Sequence, residues 1–325
     1  MAGLSELQAT TFEHREKKPS DMVSDNSPLL HMLRKKGRVT VINGGREIWE
    51  DIRYAQNSYV QNIDASEEIT IGYNQTITGF QYAPKIIVVP VVINDLERAQ
   101  NQGEAEFLNL LAQRNDTADD SLYNEVESQL QGDGTGSGGK DFAGIQSYIV
   151  TSVTSGSYGG LSRASYSSIR NSSIDAPTLF TGLTDSSNVE SRLRYSKNTV
   201  LRQGGPELCL AGQGIFNSAC DAMSAKQRFT QNKDMLEANF ENIVIEGMTM
   251  VNANGKVFSG LARIASDRCY GIRLDNVAFR MYKNYNFQPV QQRVSVNQLV
   301  DVAITVGIGQ FTSNGTGLCF VMWDS

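Results

Sequence analysis

Phe107, Leu108, Leu111, Ala118, Leu122, Val126 and Leu130 recur three or four residues apart. That spacing lines side chains along one face of an α-helix. Helical from Glu104 to Gln131, the segment is about 42 Å long at about 1.5 Å per residue. A helix of that length with a single apolar stripe has to lay the stripe across a sheet. Just ahead of it, PKIIVVPVVIN (84–94) is the first continuous apolar run. It reads as a buried strand, with Pro90 marking an edge or a bulge. The helical pattern begins at Asn94 and Asp95, pauses at NQGEAE where Gly103 kinks it, and resumes.

The helix runs into GDGTGSGGKD (132–141). From Gly134 this is one residue short of a phosphate-binding P-loop, and Gly134, Gly136 and Gly139 also satisfy the dinucleotide pattern G-x-G-x-x-G. Context excludes both. Phosphate binding needs a strand before the glycines and a helix after, so that the helix N-terminus faces the anion. Here a helix precedes, and FAGIQSYIV (142–150), which reads as a strand, follows. Asp141 replaces the hydroxyl that would hold magnesium and adds negative charge. The glycines read as a helix stop and a mobile turn.

Residues 1–28 are polar and charged, and on their own bury too little to fold. They read as an arm that gains order on a partner. Asn26 or Ser27 caps a short helix with Pro28 at its first position. Leu29, Leu30 and Leu33 form its apolar face, Arg34, Lys35 and Lys36 complement the dipole in its last turn, and Gly37 stops it. Arg38 to Ile42 alternates as a strand before the turn Asn43-Gly44-Gly45. From Arg46 to Ala83 the pattern is strand-like but never core-like, and reads as a long projecting hairpin. A two-stranded ribbon is marginal in water, so a neighbour is implied. The middle of the chain reads as a mixed α/β unit. TDSSNVESRLRYSKNTVLRQGG carries a helix capped by Asp185 or Ser186, PELCLAG is a short buried strand, and GQGIFNSACDAMSAKQRF is a helix with Ile215, Phe216, Ala219 and Met223 on one face. NIVIEGMTMV and RCYGIRLDN are strands. The tail is strand-dominated, and Val300, Val302, Ile304, Val306 and Ile308 alternate with Asp301, Ala303, Thr305 and Gly307 to give one apolar face.

The 325 residues suffice for two domains, or for one domain with extensions. The formal net charge is −6, which argues against a chain whose main task is gripping nucleic acid. The first residues lack the apolar stretch of a secretory signal, and no run approaches the roughly 20 apolar residues of a membrane helix. Cys209, Cys220, Cys269 and Cys319 are far apart and read as buried free thiols, with disulfide formation among them left open. The two histidines, His14 and His31, are distant from every cysteine in sequence and have no nucleophile pattern beside them. The carboxylate pairs Glu67-Glu68 and Asp119-Asp120 read as solvated or salt-bridged faces. The run Arg34-Lys35-Lys36-Gly37-Arg38 suits an acidic subunit face better than phosphate. No catalytic, cofactor or metal residue is assigned.

Four stretches, taken in order, resemble the major capsid proteins of tailed bacteriophages: NSPLLHMLRKKGRVTVINGGREIWEDIRYAQNSYV (26–60), VVINDLERAQNQGEAEFLNLLAQR (91–114), LQGDGTGSGGKDFAGIQSYI (130–149) and LDNVAFRMYKNYNFQPVQQRVSVNQLVDVAITVGIGQF (274–311). The resemblance implies the α+β, Hong Kong 97-like capsid fold, which encapsulins share. It implies an N-terminal arm (1–41), an extended loop lying over a neighbouring subunit (42–85), a peripheral domain (86–140 and 276–311) with spine helix 104–131, and an axial domain (141–275 and 312–325). Arg34, Lys35, Lys36, Arg46, Trp49, Arg53, Tyr54, Tyr59, Glu67 and Glu68 would make inter-subunit contacts. Gly132, Gly134, Gly136, Gly138 and Gly139 would form a hinge between spine helix and axial domain.

The implied role is a coat protein forming hexamers and pentamers of an icosahedral virion head around double-stranded DNA, which it would touch weakly and non-specifically. It would assemble in the host cytoplasm, without enzymatic activity, cofactor or membrane partner. Its partners would be itself, a portal and decoration proteins. No long N-terminal helical segment of the fused-scaffold kind is present, so a separate scaffolding protein is expected. Residues 47–84 contain no lysine, so the isopeptide cross-link of some relatives is not expected. Deleting residues 47–82 is expected to leave a soluble subunit that forms no shells. The competing readings are an encapsulin-like compartment and an unrelated soluble enzyme.

Overall fold

The computed structural model describes residues 28–94, 104–175, 189–200, 204–225, 242–253, 264–294 and 300–324. In chain order the elements are α1 (Pro28–Lys35), β1 (Val39–Ile42), β2 (Ile48–Arg53), β3 (Ile77–Tyr82), β4 (Lys85–Asn94), α2 (Glu104–Gln131), β5 (Ser157–Tyr158), β6 (Leu161–Ser162), β7 (Ser172–Asp175), α3 (Val189–Thr199), β8 (Leu208–Ala211), α4 (Gln213–Ala225), β9 (Asn242–Ile245), β10 (Met248–Asn252), β11 (Arg268–Ile272), β12 (Val277–Tyr282), β13 (Gln288–Val294), β14 (Val300–Ser313) and β15 (Phe320–Trp323). The arm before Pro28, the caps at Asn26, Ser27, Asp185 and Ser186, and the kink at Gly103 lie outside the described residues.

Two sheets carry the architecture. In the first, the long β14 is paired antiparallel with β4 along one side and with β12 and then β13 along the other, while β1 lies parallel to β12. Helix α2 crosses this sheet, where Ala118 packs with Val91 and Ala303. The helix takes the face that bears Ala303, Thr305 and Gly307, because small residues let a helix approach a sheet closely. The apolar side of β14, Val302 to Ile308, is therefore on the opposite face and only half-buried. The run read as a buried strand is likewise covered on one face only: Val91 is 5% exposed, but Ile86 is 59% exposed.

The second sheet has the order β7-β15-β11-β8-β10-β9. Strand β8 is buried at every position, because both faces of the sheet are covered. Leu208, Leu210, Tyr270 and Ile272 join the main core with the leucines of α1 and the end of α2. Cys209, Ala211, Cys269 and Met322 pack on the other side against Val189 and Leu193 of α3 and Ile215, Phe216 and Ala219 of α4. Burying a Leu or Ile fully contributes about 1.5–3 kcal/mol, so this two-sided core is the main source of stability.

Other expectations are corrected. FAGIQSYIV is not a strand: Ile145–Tyr148 form a helical turn that places Ile145 and Tyr148, three residues apart, in the core. The last turns of α2 carry more than one stripe. Glu127, Ser128, Gln129 and Gln131 are buried with Val126 and Leu130, since this end of the helix is enclosed on several sides. Asp119 is buried too, while Asp120 is exposed as expected.

Candidate inter-subunit surface

Strands β2 and β3 form a separate two-stranded ribbon with Ile48 opposite Tyr82 and Arg53 opposite Ile77. Burial along β2 alternates strictly: Ile48, Glu50 and Ile52 face in, Trp49, Asp51 and Arg53 face out. Period-2 alternation is what a half-covered strand requires. The root of the hairpin is therefore part of the body, and the expectation of a ribbon that is nowhere core-like fails there. Ile48, Ile52, Phe80 and Tyr82 belong to the main core. Only residues 54–76 project.

Polar bonds fasten the root. Glu50 Oε1 accepts from Arg280 Nε at 2.5 Å and from Thr312 Oγ1 at 2.9 Å. The Tyr82 hydroxyl donates to Ser313 O at 2.6 Å. Gln310 Nε2 donates to Ala83 O at 3.1 Å, and its Oε1 accepts from Ala143 N at 2.9 Å. The β5–β6 hairpin grips the same root. Tyr158 packs edge-on against Phe80 and Tyr82, with ring centres 5.2 and 5.5 Å away, and Gln81 N donates to Gly159 O at 2.9 Å. Gly159 has φ +54°, and a Cβ there would lie 2.6 Å from Phe80. Only glycine fits this approach. Burial pushes the hydroxyl pKa values of Tyr82, Tyr148 and Tyr158 up, so these rings stay neutral packing elements.

The residues singled out in the sequence fall into separate places. Lys36 lies at the end of α1 and bonds within its own chain to Glu207 and to Asp275. Burial pulls its pKa down, but the bonds to these two carboxylates carry it above the ordinary value. Arg34 and Lys35 are exposed beside it. Arg46 and Arg53 are exposed at the ribbon, and Trp49 is 57% exposed on its outer face. Tyr54 is half-buried, edge-on to Tyr166 at 5.1 Å. Tyr59, Glu67 and Glu68 are on the projecting loop and exposed. There the Glu67 carboxylate accepts from Asp64 N at 3.1 Å, while Glu67 N donates to Asp64 O. The loop also exposes Val60, Ile63, Ile69, Ile71 and Tyr73, the last two 90%.

The glycine run has two kinds of site. Gly132 is buried, and its carbonyl accepts from Gln146 N at 3.1 Å. Gly134 has φ +78°, and a Cβ there would sit 2.9 Å from Ala143 Cα. Gly136 abuts the Asp141 carboxylate, whereas Gly138 and Gly139 face open space. Gln129 Oε1 accepts from Phe142 N at 3.1 Å, tying the end of α2 to the chain beyond the glycines. Glu50, Gln129, Gln310 and Gly159 were not among the expected site residues. For Glu50 the signal was present in its placement midway between Ile48 and Ile52; the others depend on contacts far apart in sequence.

All four cysteines are free, and Cys209, Cys269 and Cys319 are buried. Among the described residues, no group of His, Cys, Asp and Glu side chains could hold a metal ion, and no helix is long and apolar enough to cross a membrane.

No protein-family model and no curated protein matches the chain. Solved structures do. The chain is similar to the capsid protein in the cyanophage A-1(L) capsid asymmetric unit, with a TM-score of 0.67 and 14% identity, covering 94% of this chain and 92% of that one. It is similar to the capsid protein of the native GTA particle, at a TM-score of 0.55 and 9% identity over 90% of each chain. It is also similar to the holo-SrpI encapsulin complex of Synechococcus elongatus PCC 7942, at a TM-score of 0.55 and 8% identity over 92% and 88%. The chain thus has the α+β, Hong Kong 97-like fold of tailed-phage capsid proteins.

Proposed function

We propose that this chain is the major coat protein of a tailed-phage head. Many copies form hexamers and pentamers that close into an icosahedral shell around double-stranded DNA. The carrying observation is the match over nearly the whole length to a phage capsid chain, together with a loop whose apolar side chains are exposed in the single chain. A monomer gains nothing from exposing Ile71 and Tyr73; an assembly covers them.

In this reading residues 1–41 are the arm and 42–85 the extended loop, with β2 and β3 as its anchored root. The α2 helix and strands β4, β12, β13 and β14 of the five-stranded sheet make up the peripheral domain of 86–140 and 276–311, and β1, at the junction of arm and loop, adds its fifth strand. The six-stranded sheet belongs to the axial domain of 141–275 and 312–325. The glycines from Gly132 to Gly139 are the joint, where Gly138 faces open space, Gly139 is tied through its N–H to Thr135 O and through its carbonyl to Lys85, and Gly134 and Gly136 hold the close approach. Trp49, Arg53, Tyr59, Glu67 and Glu68 face neighbouring copies. A separate scaffolding protein, a portal and decoration proteins complete the head, which forms in the host cytoplasm. The net charge of −6 keeps the shell from holding its DNA tightly.

Particle contents test the role. Particles purified from cells carrying the neighbouring genes should hold nuclease-protected double-stranded DNA. The similarity to an encapsulin gives the second reading, a compartment that loads an enzyme. Shells with a single protein cargo and no protected DNA would establish that one instead.

A further inference from the structure

The segment Asn43-Gly44-Gly45 joins β1 to the bend that leads into β2 and belongs to neither strand. All three residues are exposed. Its two ends are anchored. Lys283 N donates to Ile42 O at 2.9 Å, and the Tyr282 hydroxyl donates to Gly45 O at 2.6 Å. Between these anchors the chain is bare. Among the described residues, neither the Asn43 side chain nor the Gly44 N–H makes a hydrogen bond. Gly44 has φ +139°, where side chains are rarely tolerated, and a Cβ on it would meet nothing within 4 Å. The backbone therefore requires glycine at 44, while no described contact requires asparagine at 43.

An asparagine followed by glycine is chemically exposed. No Cβ shields the glycine nitrogen, and the glycine backbone turns freely. The Gly44 nitrogen, giving up its proton to hydroxide, can attack Cγ of Asn43. The new N–C bond closes a five-membered succinimide ring, and Nδ2 takes up a proton and leaves as ammonia. Water then opens the ring at one of its two carbonyls. One opening gives aspartate. The other gives isoaspartate, in which the main chain runs through the former side chain. The net change is one water consumed and one ammonia released, with no oxidant or metal. Each event takes the net charge of −6 one unit further negative.

The same dipeptide recurs at Asn314-Gly315, and there the fold holds it. Asn314 N donates to Asn276 O at 3.0 Å, and Leu318 N donates to Gly315 O at 3.0 Å. Thr316, the next residue, is buried, and its hydroxyl donates to Ile169 O at 2.5 Å. A Cβ on Gly315 would lie 2.1 Å from Asn276 Nδ2, so Gly315 is pressed against that side chain. Its nitrogen reaches Asn314 Cγ only by breaking these contacts. A third copy, Asn254-Gly255, lies outside the described residues.

We propose that Asn43 is a site of spontaneous deamidation, which slowly places a carboxylate at the junction of β1 and the hairpin, and that the fold spares Asn314. The reaction belongs to the single subunit and needs no shell.

The test incubates full-length, unassembled wild-type protein at mildly alkaline pH and follows both sites by mass spectrometry against an unincubated control. The tryptic peptide 39–46 should gain the mass difference between OH and NH2 and split into aspartyl and isoaspartyl forms. Its rate should exceed that at Asn314 at least about tenfold, because the loop at Asn314 must first give up hydrogen bonds. The rate should also rise with pH, since the amide has to lose its proton. In urea the two sites should react at similar rates, which assigns the difference to the fold. Asn43→Gln, which could close only a less favourable six-membered ring, should keep the subunit Tm and abolish the new charge in this peptide. An Asn43 that stays intact in the folded protein while the urea-unfolded chain reacts would overturn the proposal. So would equal rates at Asn43 and Asn314 in the folded protein, or a difference that persists in urea.

Discussion

Glu50 is one carboxylate that ties the hairpin root to two strands of the five-stranded sheet through Arg280 and Thr312. Truncating it leaves the part-buried guanidinium without its counter-charge. Glu50→Ala should lower the stability of the unassembled subunit by about 2 kcal/mol, and Glu50→Gln by less, since the amide oxygen still accepts from Thr312. Urea denaturation followed by tryptophan fluorescence measures both. Cys319 makes a pH prediction. Burial pushes its thiol from about 9 up to about 11. The folded chain keeps a proton that the unfolded chain has lost, so stability is unaffected below pH 9 and falls as pH rises from about 9 to about 11. The slope is roughly 1.4 kcal/mol per pH unit. Cys319→Ala should lessen the fall between pH 9 and 11 by about that slope, leaving the share of the buried Cys209 thiol, which is also pushed well above 9. The buried hydroxyls of Tyr82, Tyr148 and Tyr158 steepen the fall above about pH 10.

The grip of the β5–β6 hairpin on the loop root depends on Gly159. Gly159→Ala should cost about 2–3 kcal/mol, seen as a lower subunit Tm. Combining it with Phe80→Ala should cost less than the sum, because the clash disappears with the ring. The root also changes how the loop is to be removed. Deleting residues 47–82 takes Ile48, Ile52, Phe80 and Tyr82 out of the core and should unfold the subunit. Deleting 55–75 should leave Tm nearly unchanged and abolish shells, which melting and electron microscopy of the same preparation separate. Helix α2 was legible to its end residues, because seven apolar positions share one period and Gly132 follows. The two-sided core of β8 was legible as a short apolar run. The hairpin root was legible only in part: Ile48, Glu50 and Ile52 alternate with exposed neighbours, but the carboxylate among them and Thr78 opposite mask that the face is buried. Nor did the alternation in β14 tell which face α2 would cover, because closeness of approach favours Ala303 and Gly307 over the bulkier side. FAGIQSYIV misled through its aromatic and branched residues, whose burial is achieved by a single helical turn.

At the scale of the molecule, the fold joins a rigid two-sheet body to a loop that finds no use within one chain. In the proposed reading, the exposed apolar side chains of residues 60–73 and the bare half of the five-stranded sheet are surfaces that meet other copies, and the negative net charge suits a container more than a nucleic-acid clamp. Such a design stabilises by summing many modest contacts between copies, so assembly should be steeply concentration-dependent while the subunit itself folds alone. The most direct measurement is electron microscopy of the purified protein, expressed with and without its neighbouring genes. Closed shells or ring-shaped capsomers are the predicted result, with a particle diameter that bounds the number of copies. Monodisperse monomers under every condition would contradict the account.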